Sequence, residues 1–80
     1  MRRAASSVFL LVVGRQGDFV VDDPLLSRRH YAIQMDGDYL IEDLASTNAT
    51  FLNSRRVTEK TQLQYGDRIV IGSTILRVLH

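Results

Sequence analysis

The 80-residue chain contains no cysteine and a single proline. The first absence excludes disulfide staples, thiolate metal sites and cysteine nucleophiles, and suits a reducing compartment. Charge of one sign is lacking too. Ten Lys and Arg stand against nine Asp and Glu, a net charge of +1. That balance gives no overall pull toward nucleic acid or an anionic membrane, so anion recognition has to come from a local cluster. Long apolar runs are missing. The longest candidate covers residues 8–13, far short of the ~20 residues of a membrane-spanning helix. Arg2 and Arg3 precede it in the manner of a signal peptide, but Gly14-Arg15-Gln16-Gly17-Asp18 follows in place of a small-residue cleavage site. A buried strand fits the run better. Helical spacing of apolar residues is absent as well, as are capping boxes, internal repeats and low-complexity segments.

What is there is a series of short β-rich runs broken by polar turns. The apolar fraction of 45% is ordinary for a globular protein, and the length suits one small domain, 1–80. Residues 1–7 form an N-terminal segment outside the strands that could lack fixed structure. Strands are expected over 8–13, 19–22, 31–35, 39–44, 50–53, 68–71 and 74–79. Alternation puts Tyr31, Ile33 and Met35 on one face. Asp36-Gly37 then reads as a type I′ hairpin turn. Gly72-Ser73 and Tyr65-Gly66-Asp67 mark further turns, and Pro24 sits in a loop. Strands this short, separated by turns every 8–12 positions, predict an all-β fold, a small sandwich of antiparallel strands.

Two polar clusters stand at strand ends, Ser27-Arg28-Arg29-His30 and Ser46-Thr47-Asn48-Ala49-Thr50. Loops at strand ends are where a rigid scaffold presents binding groups. A phosphorylated side chain carries about −1.5 to −2 charges and three acceptor oxygens, so its receptor needs several donors and positive charge. Arginine supplies a two-pronged donor, and hydroxyl and backbone N–H groups complete the shell. Gly14-Arg15, Ser27-Arg28 and Thr47-Asn48 offer this mixture on three loops.

The ordered set Gly14-Arg15, Asp23-Pro24-x-x-Ser27-Arg28-Arg29-His30, Asp43-x-x-Ser46-Thr47-Asn48, Asn53 and Gly66-Asp67-x-Ile69 resembles the forkhead-associated (FHA) domain, a phosphothreonine-binding module. The resemblance covers about four-fifths of the chain. It implies that Arg15 and Ser27 contact the phosphate, that Arg28 adds a phosphate or peptide contact, and that Thr47 binds phosphate or shapes the pocket. Asn48 would then hydrogen-bond the peptide backbone. Gly14, His30 and Asn53 would support the loops, Gly14 by letting the backbone turn tightly. Leu25 and Leu26 would favour apolar peptide residues after the phosphothreonine. The chain departs from the family in two ways. Ala49 stands where glycine is usual, at a position where a positive φ would cost about 1 kcal/mol. The N-terminal strands are abbreviated, with one strand ahead of Gly14. An exposed sheet edge there invites pairing with another chain.

Duller readings compete for the same residues. Arg29, Arg55 and Arg56 read as solvated surface arginines. Ser46, Thr47 and Asn48 could form a turn through side-chain to backbone bonds. Ser27 and His30 lack an orienting carboxylate and make no triad. Asp22, Asp23, Asp36 and Asp38 read as turn and surface carboxylates, not metal ligands. The expectation is therefore a non-enzymatic cytoplasmic signalling module that binds a phosphothreonine-containing protein, with no cofactor, no metal, no nucleic acid and no membrane. The alternative is an assembly module on the same scaffold, its phosphate site weakened, that self-associates through the N-terminal sheet edge.

Overall fold

The computed structural model describes residues 9–79. It contains nine strands: β1 (Phe9–Gly14), β2 (Phe19–Val20), β3 (Tyr31–Asp36), β4 (Asp38–Asp43), β5 (Thr50–Leu52), β6 (Arg55–Arg56), β7 (Thr61–Gln62), β8 (Arg68–Ile71) and β9 (Thr74–Arg77). They form a five-stranded sheet in the order β2-β1-β3-β4-β7 and a four-stranded sheet in the order β6-β5-β8-β9. All pairings are antiparallel except β1 with β2. No helix occurs among the described residues, and the all-β expectation holds.

Register explains the core. Val13 lies beside Tyr31, and Leu11 beside Ile33, which in turn lies beside Ile41. Cross-strand partners share a face, so these side chains line the inner surface of the first sheet. In the second sheet Leu52, Ile69 and Leu76 form the matching row. Leu26, Val57 and Leu63 plug the core from loops between strands.

The β3–β4 hairpin differs from the sequence expectation. A type I′ turn on Asp36-Gly37 would set Met35 opposite Asp38. Instead Met35 pairs with Tyr39, and Gly37 alone turns the chain at φ 81°. A one-residue slip flips every side chain of a strand. The I′ register would have turned Asp38, Leu40 and Glu42 inward, whereas the observed one buries Ile41 completely and packs Tyr39 against the core. Keeping two carboxylates out of the core outweighs the local turn preference. A two-residue turn of type I′ character occurs elsewhere, at Asn53-Ser54, with φ of 49° and 70° between the paired Leu52 and Arg55.

Strand limits also differ. The expected strand over 19–22 is only Phe19–Val20, that over 50–53 stops at Leu52, and that over 74–79 stops at Arg77. The short β6 and β7 carry no apolar alternation and were not expected. Val8 and the 1–7 segment lie outside the described residues. β2 pairs with β1 only at Val13 and Gly14, and Asp18 closes the connection by accepting the Val12 N–H on its carboxylate and donating its own N–H to the Val12 carbonyl, both at 2.8 Å. Among the described residues, the part of β1 toward Phe9 pairs with β3 alone.

Candidate functional site

Gly14 starts the site. A Cβ at this position would lie 2.3 Å from the Arg28 carbonyl oxygen and 2.8 Å from that of Ser27. Only glycine lets the 27–30 loop lie this close to the end of β1. The contact is then stitched by backbone bonds. Arg15 N–H donates to Ser27 O (3.1 Å), Gln16 N–H to Arg28 O (2.9 Å), and His30 N–H to Val13 O (2.8 Å). Leu26 anchors the same loop from below, buried in the core. The side chain expected to meet a peptide is thus inaccessible, and of the Leu25-Leu26 pair only Leu25, 52% exposed, faces solvent.

His30 is fully buried and joins two loops. Its Nδ1 accepts the Ser27 N–H at 3.1 Å, which leaves Nε2–H to donate to the Ala49 carbonyl at 2.7 Å. These partners select the tautomer. They also occupy both ring nitrogens, so the ring cannot act as a base on the Ser27 hydroxyl.

The second loop is organised by Asp43, the last residue of β4. Its Oδ1 accepts from Ser46 Oγ and Thr50 Oγ1, both at 2.6 Å, and its Oδ2 accepts the Ser46 N–H at 3.0 Å. Burial alone would raise the Asp43 carboxyl, but the bonds from Ser46 and Thr50 outweigh it and hold the group below its ordinary 3.8. Ser46 and Thr50 therefore face inward as braces, and Thr47 and Asn48 are left exposed between them. Ala49 takes φ 69°. The tight turn that glycine would favour is kept, and the alanine bears its cost.

Three ties draw the loops into one surface. Arg15 Nε donates to Leu26 O at 2.8 Å, Thr47 N–H to Ser27 Oγ at 3.0 Å, and Asn48 Nδ2 to Leu25 O at 2.6 Å. Among the described residues nothing engages the Arg15 Nη groups or the Arg28 guanidinium. Ser27 Oγ accepts from Thr47, so its own hydrogen is available to an acceptor outside. Arg15, Ser27, Arg28, Thr47 and Asn48 thus stand on loops brought together at one end of the sandwich, with Gly14 and His30 beneath them. Asn53 stands apart at the far end of β5. Its Nδ2 donates to Asp67 Oδ1 (2.9 Å) and its Oδ1 accepts the Arg68 N–H (3.0 Å), which ties the β5–β6 turn to β8.

Two carboxylates do more than the sequence suggested. Asp43 carries no role of its own in the sequence reading, although an aspartate three residues before a serine is a local capping pattern. In the sequence Asp23 reads as a turn or surface group. It is buried, 4% exposed, and bonds Leu25, Ser73 and Thr74. The aspartate two residues before Leu25 is an Asx-turn signal, but its partners fifty residues away leave no local trace.

Fold and site together define a β-sandwich recognition domain that presents cationic, hydroxyl and amide groups from a rigid end. A family model for the FHA domain matches residues 11–72. The FHA-domain protein FhaB of Mycobacterium tuberculosis is 34% identical over 71 residues, which cover 85% of this chain and 46% of that protein. An FHA domain solved in a structural and functional study of phosphothreonine-dependent FHA interactions superimposes with a TM-score of 0.81 at 37% identity, over 89% of this chain and 77% of its own. The N-terminal FHA domain of Saccharomyces cerevisiae Rad53, solved with a phosphothreonine peptide, gives 0.74 at 28% identity, over 91% and 62%. The chain belongs to the FHA-domain family. It spans just under half the length of the FhaB relative.

Proposed function

We propose that this chain is a phosphothreonine-dependent interaction module that binds a phosphorylated segment of a partner protein. The observation that carries the reading is the convergence of the Arg15, Ser27 and Thr47 loops, tied to one another by hydrogen bonds, into one surface on which Arg15, Arg28, Thr47 and Asn48 are exposed. Arg15 and Ser27 hold the phosphate, Arg28 and Thr47 support it, and Asn48 pins the peptide backbone while its Nδ2 stays on Leu25. Gly14 and His30 keep the loops in register, and Asn53 supports the β5–β6 turn. Charge-assisted hydrogen bonds contribute about 1.5–3 kcal/mol each, offset by ordering the peptide. A micromolar dissociation constant, about −8 kcal/mol, is the expected affinity.

The module is non-enzymatic and needs no cofactor. Its place is the cytoplasm, in signalling through threonine kinases, and the cysteine-free composition suits that compartment. The test is titration of a phosphothreonine peptide library against the chain, with unphosphorylated peptides and Arg15→Ala as controls. Binding that ignores phosphorylation, or that survives loss of Arg15 unchanged, overturns the reading.

A second reading, self-association, is supported by β2, the edge strand of the first sheet among the described residues, whose Phe19 and Val20 are 52% and 61% exposed. Light scattering across a concentration series decides it. A constant monomer mass removes it.

A further inference from the structure

Asp23 is a buried carboxylate that the proposed peptide contacts do not use. It sits where the chain enters the 23–30 loop, and it accepts four hydrogen bonds on its side chain. Oδ1 takes the Leu25 N–H at 3.0 Å. Oδ2 takes the Ser73 N–H at 2.9 Å, Ser73 Oγ at 2.8 Å and Thr74 Oγ1 at 2.7 Å. Three of the four donors thus come from the β8–β9 hairpin, two from Ser73 in its turn and one from Thr74 at the start of β9. Gly72 allows the approach, at φ 56°, since a Cβ there would lie 3.0 Å from both Asp23 Oδ2 and the Leu25 Cβ. The Asp23 carbonyl also accepts the Leu26 N–H at 3.0 Å.

Leu25, Leu26 and Ser27 then each hold one part of the candidate site. The Leu25 carbonyl fixes Asn48, the Leu26 carbonyl fixes Arg15, and Ser27 Oγ fixes the backbone of Thr47. We infer that Asp23 is a positioning residue for phosphopeptide recognition: clamped by Ser73 and Thr74, it sets the Leu25 and Leu26 carbonyls that aim Asn48 and Arg15. The inference rests on the phosphopeptide reading above. It adds that the β8–β9 turn, which offers none of the proposed peptide contacts, tunes affinity from behind. The hydrogen bonds, led by that of the Leu25 N–H, lower the Asp23 carboxyl to about 2, so the clamp keeps its charge at every physiological pH.

The double variant Ser73→Ala/Thr74→Val tests this, since it leaves Asp23 and every proposed peptide contact in place. Binding of a phosphothreonine peptide is measured at a temperature where circular dichroism shows the variant folded, and the Asn48 side-chain amide is followed by NMR in the peptide-free chain. The expected result is a loss of affinity of roughly tenfold, a shifted Asn48 side-chain resonance, and a smaller penalty for Asn48→Ala in this background than in the parent. Native affinity with an unmoved Asn48 resonance overturns the inference. Should the double variant fail to fold, Ser73→Ala alone, which removes one exposed hydroxyl, is read the same way. Should the parent chain ignore phosphothreonine peptides altogether, the phosphopeptide reading falls, and the Asn48 resonance still decides whether the clamp positions that side chain.

Discussion

Thr47 donates its backbone N–H to Ser27 Oγ at 3.0 Å, across twenty residues of sequence. A hydroxyl that accepts along one lone pair directs its hydrogen elsewhere, and here the open direction is solvent. One bond therefore both joins two loops and leaves the Ser27 hydroxyl hydrogen free to donate to another acceptor.

Ser27→Ala removes both roles. Affinity for a phosphothreonine peptide should fall about tenfold or more, the worth of one charge-assisted hydrogen bond. Stability should change by no more than about 1 kcal/mol, because the tie lies at the surface. Calorimetric titration beside urea denaturation separates the two, and equal affinity with reduced stability would contradict the assignment.

His30→Ala should act the other way, chiefly on folding. It strips the partner from the Ser27 N–H and from the Ala49 carbonyl, and each orphaned group costs about 1–3 kcal/mol when buried. A destabilisation of about 2–4 kcal/mol in urea denaturation is expected.

Ala49→Gly should stabilise the chain. At φ 69° alanine sits in the left-handed region, which costs an L residue about 1–2 kcal/mol relative to glycine. Loss of the buried methyl and the greater freedom of unfolded glycine offset part of this, leaving a gain of about 0.5–1 kcal/mol. Phosphopeptide affinity should stay the same or improve, since Thr47 and Asn48 already hold their bonds. A lower urea midpoint would show that the strain is absent.

The pH dependence of stability should have two limbs. Asp23 is lowered from 3.8 to about 2 and Asp43 is also lowered. Their contribution is therefore complete above pH about 4 and is lost as pH falls toward 2. Burial raises the Tyr31 phenol from 10.0 to about 12. The unfolded chain then ionises first, and stability declines between pH 10 and about 12. Urea midpoints measured from pH 2 to 12 check both limbs, and Tyr31→Phe should flatten the alkaline one.

The strand-turn rhythm and the alternation in β3 were legible in the sequence because they depend on near neighbours. The Gly37 register was not, because the local Asp-Gly preference lost to the exclusion of Asp38 and Glu42 from the core. Arg15, Ser27 and Asn48 could be picked out by residue type and order. Their convergence could not, since it depends on partners that only the folded sheets bring together. Asp23 shows the limit most clearly. Its Asx turn is written in three consecutive residues, but Ser73 and Thr74 reach it from the opposite sheet. Leu25 and Leu26 look alike in sequence, yet packing sends one to solvent and the other to the core.

The hydrogen bonds that build the recognition surface join residues 19, 20, 23 and 50 positions apart. Contacts of such separation form late, after the intervening chain has been ordered. Recognition is then an all-or-none attribute of the closed sandwich. A peptide fragment carrying only the 23–30 or 43–50 segment would retain none of it, and a phosphopeptide that fits would act as a lock on the whole fold, raising its melting temperature with the logarithm of peptide concentration once that exceeds Kd.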